Sequence, residues 1–237
     1  AITGSQNVAI GPNAGQGIGT SIRTVSIGYQ SNASNSSAIA IGSQTTASGD
    51  RTVALGGTAE ATADFALAVG LSARAAGQAG VAIGNSARTG TGVECISIGS
   101  NTGSVVSTGA RNISIGASAL DANTSGADNV SIGRDAMTAA TTASNNVSIG
   151  NNTCMNLSGG NNNTVVGYGA GSGITTGASN LVLGLQAGST LSSGNSNVLV
   201  GAGADVNSAT AASRIVLGSN AVGLVDNSLT IDPIRSA

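Results

Sequence analysis

A short phrase of four residues, apolar then any residue then apolar then Gly, recurs along the whole chain at fixed intervals. Its glycines are Gly11, Gly28, Gly42, Gly56, Gly70, Gly84, Gly99, Gly116, Gly133, Gly150, Gly167, Gly184, Gly201 and Gly218, and Leu229-Thr230-Ile231-Asp232 is a degenerate last copy. The spacing is 17 once, 14 four times, 15 once, 17 seven times and finally 14. Self-similarity of this kind identifies a repeat architecture before any single residue is interpreted.

Alternation with period two, as in Val81-Ala82-Ile83, is a strand signal, and the following Gly permits a positive φ at a tight corner. Within the 14-residue section the third and fifth residues after each Gly are small, as in Ala59 and Ala61 or Ala73 and Ala75. They predict a second, short strand. Between them Asn32, Thr46, Glu60, Arg74 and Arg88 fall on the opposite pleat, where water is expected. Each coil then has two strands whose inner faces are expected to pack large residues against small ones. A coil of this size cannot bury itself, so coils must stack with backbone hydrogen bonds running from one to the next. The expected fold is all-β, a β-solenoid or β-roll of stacked 14- and 17-residue coils.

From Gly99 the period lengthens to 17 and a column of one residue type appears: Asn112, Asn129, Asn146, Asn163, Asn180 and Asn197, with Arg214 in the last place. An Asn side chain donates and accepts at once, so a stacked column predicts a hydrogen-bonded ladder. The chain therefore divides into residues 1–98 with mainly 14-residue repeats, 99–218 with 17-residue repeats, and 219–237 as a degenerate coil and exit segment.

The middle residue of each phrase is Ala or Ser early on and becomes Val165, Val182, Leu199 and Val216 later. If its neighbours point inward it points outward, and these four form an apolar stripe that something must cover. A parallel homotrimer with that stripe as its seam is the simplest closed arrangement, a dimer or a covering domain being the alternatives.

Composition narrows the function. The 237 residues include 37 Gly, one Phe, two Tyr and no Trp, and the eight basic residues are all Arg. A net charge of −2 without a basic stripe argues against a nucleic-acid partner. No apolar run is long enough for a membrane-spanning helix, so this segment is not expected to insert. The chain begins in mid-pattern, as expected of a piece of something longer. Without His or Lys the usual bases and imidazole ligands are missing; no enzyme activity, cofactor or metal is expected. Asp121, Asp128 and Asp135 are the acids nearest a carboxylate-pair pattern, of the kind a polysaccharide-cleaving tailspike uses, but they fall at different phases of the repeat. Cys95 and Cys154 sit three coils apart and are expected to be buried free thiols. Asn-x-Ser sequons at Asn112, Asn129 and Asn146 fall on the ladder, while Asn32 and Asn35 are freer. Columns such as Thr124-Ser125, Thr141-Thr142 and Thr175-Thr176 allow an ice- or crystal-binding alternative.

Phrases such as Ser37-Ala38-Ile39-Ala40-Ile41-Gly42-Ser43 and Gly80-Val81-Ala82-Ile83-Gly84-Asn85-Ser86 resemble the head repeats of trimeric autotransporter adhesins, over about Val25 to Gly99. The resemblance implies a left-handed parallel β-roll in a trimer, exposed on a bacterial surface and binding host proteins or cells. The 17-residue units, such as Gly167-Tyr168-Gly169-Ala170-Gly171, look like a related repeat of bacterial surface proteins and of phage and large DNA virus fibres. The ending Ser228 to Ser236 is similar to segments that leave such repeats in viral fibres. The expected function is the rod or head of an extracellular or virion fibre, mediating attachment or spacing a binding tip. Its partners are two further copies of itself and a host surface protein or glycan. Glu60, Arg74 and Arg88 are the outer-face candidates for contact.

Overall fold

The computed structural model describes residues 4–103 and 107–231. The chain forms two compact units that divide after Asn112, about one coil beyond the change of repeat length. Among the described residues every element is a β-strand.

In the first unit each apolar phrase is a strand of three residues. Val8–Ile10, Val25–Ile27, Ile39–Ile41, Val53–Leu55, Leu67–Val69, Val81–Ile83 and Ile96–Ile98 pair in parallel, each of the first six with the strand that follows it in this series. Register is strict, with Ala40 opposite Ala54 and Ala54 opposite Ala68. A narrower parallel sheet runs alongside, formed by Asn32–Ala33, Thr46–Ala47, Glu60–Ala61 and Arg74–Ala75, and an isolated bridge continues it from Arg74 to Arg88. Stacked, in-register parallel strands are the β-solenoid expected from the repeat.

The corner glycines are required twice over. Gly42 has φ +138°, a conformation L residues rarely adopt, and a Cβ there would lie 2.5 Å from the carbonyl oxygen of Gly56 in the next coil. The backbone turns where the stack is closest, so only a residue without a side chain fits.

The interior reverses one expectation. Ala40, Ala54, Ala68 and Ala82, the middle residues of their phrases, are fully buried, as are Ala33, Ala47, Ala61 and Ala75 of the narrow sheet. Thirteen alanines make up the core cluster of this unit. The flanking Val, Ile and Leu residues therefore point outward. The cause is the width of the coil: Ser26 Oγ, on a wide-sheet middle residue, accepts the Ala33 backbone N–H of the narrow strand at 2.9 Å. An interior one small side chain deep has no room for an inward Ile on each side.

The second unit repeats the wide sheet in eight strands: Ile113–Ile115, Val130–Ile132, Val147–Ile149, Thr164–Val166, Leu181–Leu183, Val198–Val200, Ile215–Leu217 and Leu229–Ile231. Residues 229–231 continue the stack in register, so the degenerate copy is a true coil. Of the expected exit segment, residues 232–237 lie outside the described residues. Between Gly116 and Gly201 the longer coils replace the narrow strand by a wider loop, which carries two further inward positions, four and seven residues after each Gly. These are Leu120 and Asn123, Met137 and Ala140, Cys154 and Leu157, Gly171 and Ile174, and Gly188 and Leu191, all buried.

This loop explains the switch to Val and Leu in the middle of the strands. Val165, Val182, Leu199 and Val216 are completely buried within a single chain, in the core cluster of the second unit. They are core and not an intermolecular seam, which corrects the sequence expectation. Where the fourth position is Leu120 or Met137, the nearby strand centres are Ser131 and Ser148; where it shrinks to Gly171 or Gly188, they are Val165, Val182 and Leu199. A Cβ on Gly188 would stand 3.1 Å from Val182 Cγ1 and 3.3 Å from Leu199 Cδ1. Bulk has moved from the loop to the strand, keeping the interior filled.

Candidate interaction surface

The reversal leaves an aliphatic face on the outside of the wide sheet in each unit. In the first unit it comprises two adjacent rows, running from Val8 and Ile10 through Val25 and Ile27 to Ile96 and Ile98. In the second unit it runs from Ile113 and Ile115 to Leu229 and Ile231, with Thr164 as the one polar member. These side chains are half-buried or exposed, Ile10 reaching 57% and Leu229 59%. Contiguous aliphatic surface of this kind is uncommon on monomers in water. Val, Ile or Leu flanks every middle position of the wide sheet except at Thr164, and the narrow coil turns these larger residues outward.

The Asn column does form a ladder in the second unit. Asn146, Asn163, Asn180 and Asn197 each donate from Nδ2 to Oδ1 of the Asn one coil earlier, at 3.0–3.1 Å. Each also donates from Nδ2 to a corner carbonyl of the following coil, as Asn163 does to Gly177 O at 2.9 Å. Its backbone N–H donates to the same preceding Oδ1, as from Asn163 to Asn146 at 2.9 Å. Asn129 stands at the head of this row, its Nδ2 donating to Ala143 O at 2.8 Å. In the first unit Asn112 is buried and donates to Gly109 O at 3.2 Å. Arg214 ends the ladder. Its backbone N–H donates to Asn197 Oδ1 at 3.1 Å, and its nearly buried guanidinium donates to Asp226 Oδ1 and Gly223 O, both at 2.7 Å. The hydrogen bonds from Ala212 N–H and then Arg214 hold the Asp226 carboxyl below its usual value.

The outer face of the narrow sheet carries the three residues singled out for contact. Arg74 Nε lies 3.0 Å from Glu60 Oε2, and Arg74 and Arg88 are bridge partners on adjacent coils. With Thr58 and Ser72, whose hydroxyls are 2.9 Å apart, they line a notch of about 220 Å³. The structure thus brings Glu60, Arg74 and Arg88 into one place.

Burial pushes the Cys154 thiol up to about 12 and raises that of Cys95, and both thiols are free. Asp121 is raised first by burial and further by the charge of Asp135, while Asp135 itself lies 3.7 Å from Arg134 and Asp128 is exposed. The hydroxyl column serves the stack: Thr124 and Thr141 donate to the carbonyls of Thr141 and Ser158, and Ser158 to that of Thr175, at 2.9–3.1 Å. These hydroxyls donate to the next coil, which is the corner role. Among the described residues no helix is long and apolar enough to cross a membrane.

Residues 20–45 and 47–73 match the YadA head domain repeat, in two copies. No curated protein matches the chain. The repeat and the stacked parallel coils fit a β-roll like the heads of trimeric autotransporter adhesins.

Proposed function

We propose that this chain is a non-catalytic, adhesive module of a trimeric fibre displayed outside the cell or on a virion, attaching the fibre to a host surface or holding a binding tip away from its base. The observation that carries the reading is the uncovered aliphatic face of the wide sheet. Water would order around it in an isolated chain, whereas three copies related by a threefold axis bring the same face of each together and remove it from solvent. The seam residues are then the flanking pairs, such as Ile39 and Ile41 or Leu181 and Leu183. The narrow-sheet face lies on the other side of the coil and stays accessible. The match to an adhesin head repeat supports the same assignment. Beads coated with the protein are expected to be retained on cells or extracellular matrix above bare beads, and retention no greater than that of bare beads would overturn the adhesive role.

A further inference from the structure

We infer that copies of this chain dock rim to rim along the first unit, each coil meeting the coil of equal height, with Phe65 of one copy against Leu71 of its partner. The inference rests on the trimeric reading and names the contacts that set its register.

Each wide strand has a rim at either end. Two residues before it stand Arg23, Ser37, Arg51, Phe65 and Ala79, the leading rim; two residues after it stand Tyr29, Ser43, Gly57, Leu71 and Asn85, the trailing rim. Period two places both rims on the outward side, in line with the flanking aliphatics. A rotation about an axis along the stack preserves height and strand sense, so the leading rim of one copy meets the trailing rim of its partner in the same coil. Residues six apart in sequence, held apart by a strand within one chain, thereby become neighbours between chains.

The members of these pairs suit each other. In the coil of Leu67–Val69 both rims are large, apolar and exposed, Phe65 on one and Leu71 on the other. Phe65 is the chain's one phenylalanine and holds φ +62°, which a bulky residue rarely adopts. In the coil of Val25–Ile27 the exposed Arg23 meets the exposed Tyr29, a guanidinium against an aromatic ring. In the coil of Val53–Leu55 the leading rim carries Arg51, whose guanidinium lies over the Phe65 ring, 5.3 Å from its centroid. The trailing rim of that coil is Gly57. Unlike the corner glycines, Gly57 has no positive φ, and a Cβ there would meet only the flexible end of Leu71, at 3.3 Å. Its own chain does not require a glycine at this place, whereas the bulk of a partner's Arg51 and Phe65 does. A shift of one coil sets Phe65 against Gly57 or Asn85, so the contact with Leu71 is made only at equal height.

The test is oxidative cross-linking of the intact protein carrying Phe65→Cys and Leu71→Cys together, read on a denaturing gel without reductant. The native Cys95 and Cys154 are buried and are expected to stay out of the reaction. Covalent species up to three times 22.4 kDa are expected. Phe65→Cys alone and Leu71→Cys alone are expected to run as single chains, because like rims do not meet. Ser37→Cys with Leu71→Cys is expected to do the same, since two coils of stack, about 9–10 Å, exceed the reach of a disulfide. Gly57→Phe is expected to weaken association about tenfold or more at an unchanged far-ultraviolet spectrum. No cross-link in the first pair, cross-linking of either single variant, equal cross-linking of the two-coil pair, or wild-type association of Gly57→Phe would overturn the proposal. Light scattering of the wild type separates the two levels: a threefold mass without the cross-link sinks the register and spares the trimer, whereas a stable monomer sinks both.

Discussion

Asn163 donates from Nδ2 to Oδ1 of Asn146 at 3.1 Å, and its own Oδ1 accepts both the backbone N–H and the Nδ2 of Asn180 at 3.0 Å. Replacing Asn163 by Leu keeps the size and removes every one of these bonds. Gly177 O and both Asn180 donors lose a partner in a buried site, at about 1–3 kcal/mol each. Asn163→Leu is therefore expected to lower stability by about 3 kcal/mol or more, read from the urea midpoint; a shift below about 1 kcal/mol would mean the ladder is ornamental.

Corner glycines are expected to differ sharply among themselves. Gly133 has φ +133° and a Cβ there would meet Gly150 O at 2.3 Å, so Gly133→Ala should cost at least about 2 kcal/mol. Gly169 has φ +63°, with nothing nearer than 3.6 Å, and its column also holds Asn152 and Gln186 in the same left-handed conformation. Gly169→Asn is expected to stay within about 0.5 kcal/mol of wild type. Equal costs at the two sites would contradict the close-approach explanation.

The coil lengths, the two strands of the short coils and the Asn column were all legible because each is a statement about period, and period survives without knowing which way a side chain points. The inside and outside of the wide strand were not. Val81-Ala82-Ile83 fits either polarity, and the usual assumption that larger aliphatics go inward fails when a 14-residue coil leaves room for only one small side chain. The second unit hid the answer differently. Val182 looked like a new surface feature because the sequence shows its growth from Ser, while the compensating loss at Gly188 lies six residues away in a loop. Glu60, Arg74 and Arg88 were readable as one outward column, but the notch also needs Thr58 and Ser72, two positions earlier on a turn.

The end of the ladder is expected to respond to acid. Asp226 is held below its ordinary carboxylate value, so its contribution is complete above the unfolded value of 3.8 and is lost as pH falls through the lower folded value. Hydrogen exchange in the last two coils is expected to accelerate below about pH 4, the unfolded carboxylate value, and Asp226→Asn should abolish that dependence. Exchange that stays pH-independent after correction for intrinsic rates would refute the role given to this pair.

Alkali should act on Cys154. A folded value of about 12 against 9.0 for a free thiol means that the stability its protonated form provides is intact below pH 9 and declines as pH rises toward 12. In the folded protein at pH 8 the thiol is expected to resist alkylation until the coils open, so labelling should track unfolding. Rapid labelling of Cys154 in the native state would show that it is not buried.

Core and face are separable by one pair of neighbours. Val182→Asp places a charge in the interior of the second unit and is expected to prevent folding of the single chain. Leu181→Asp points outward, so the coil should form with an unchanged far-ultraviolet spectrum while association is weakened. Identical behaviour of the two variants would contradict the assignment of inside and outside.

The most direct measurement is the mass of the purified protein in solution by light scattering. A covered aliphatic face predicts a species of three times 22.4 kDa, falling to a single chain in Leu181→Asp. A stable, monodisperse wild-type monomer, with that face left open to water, would contradict the account.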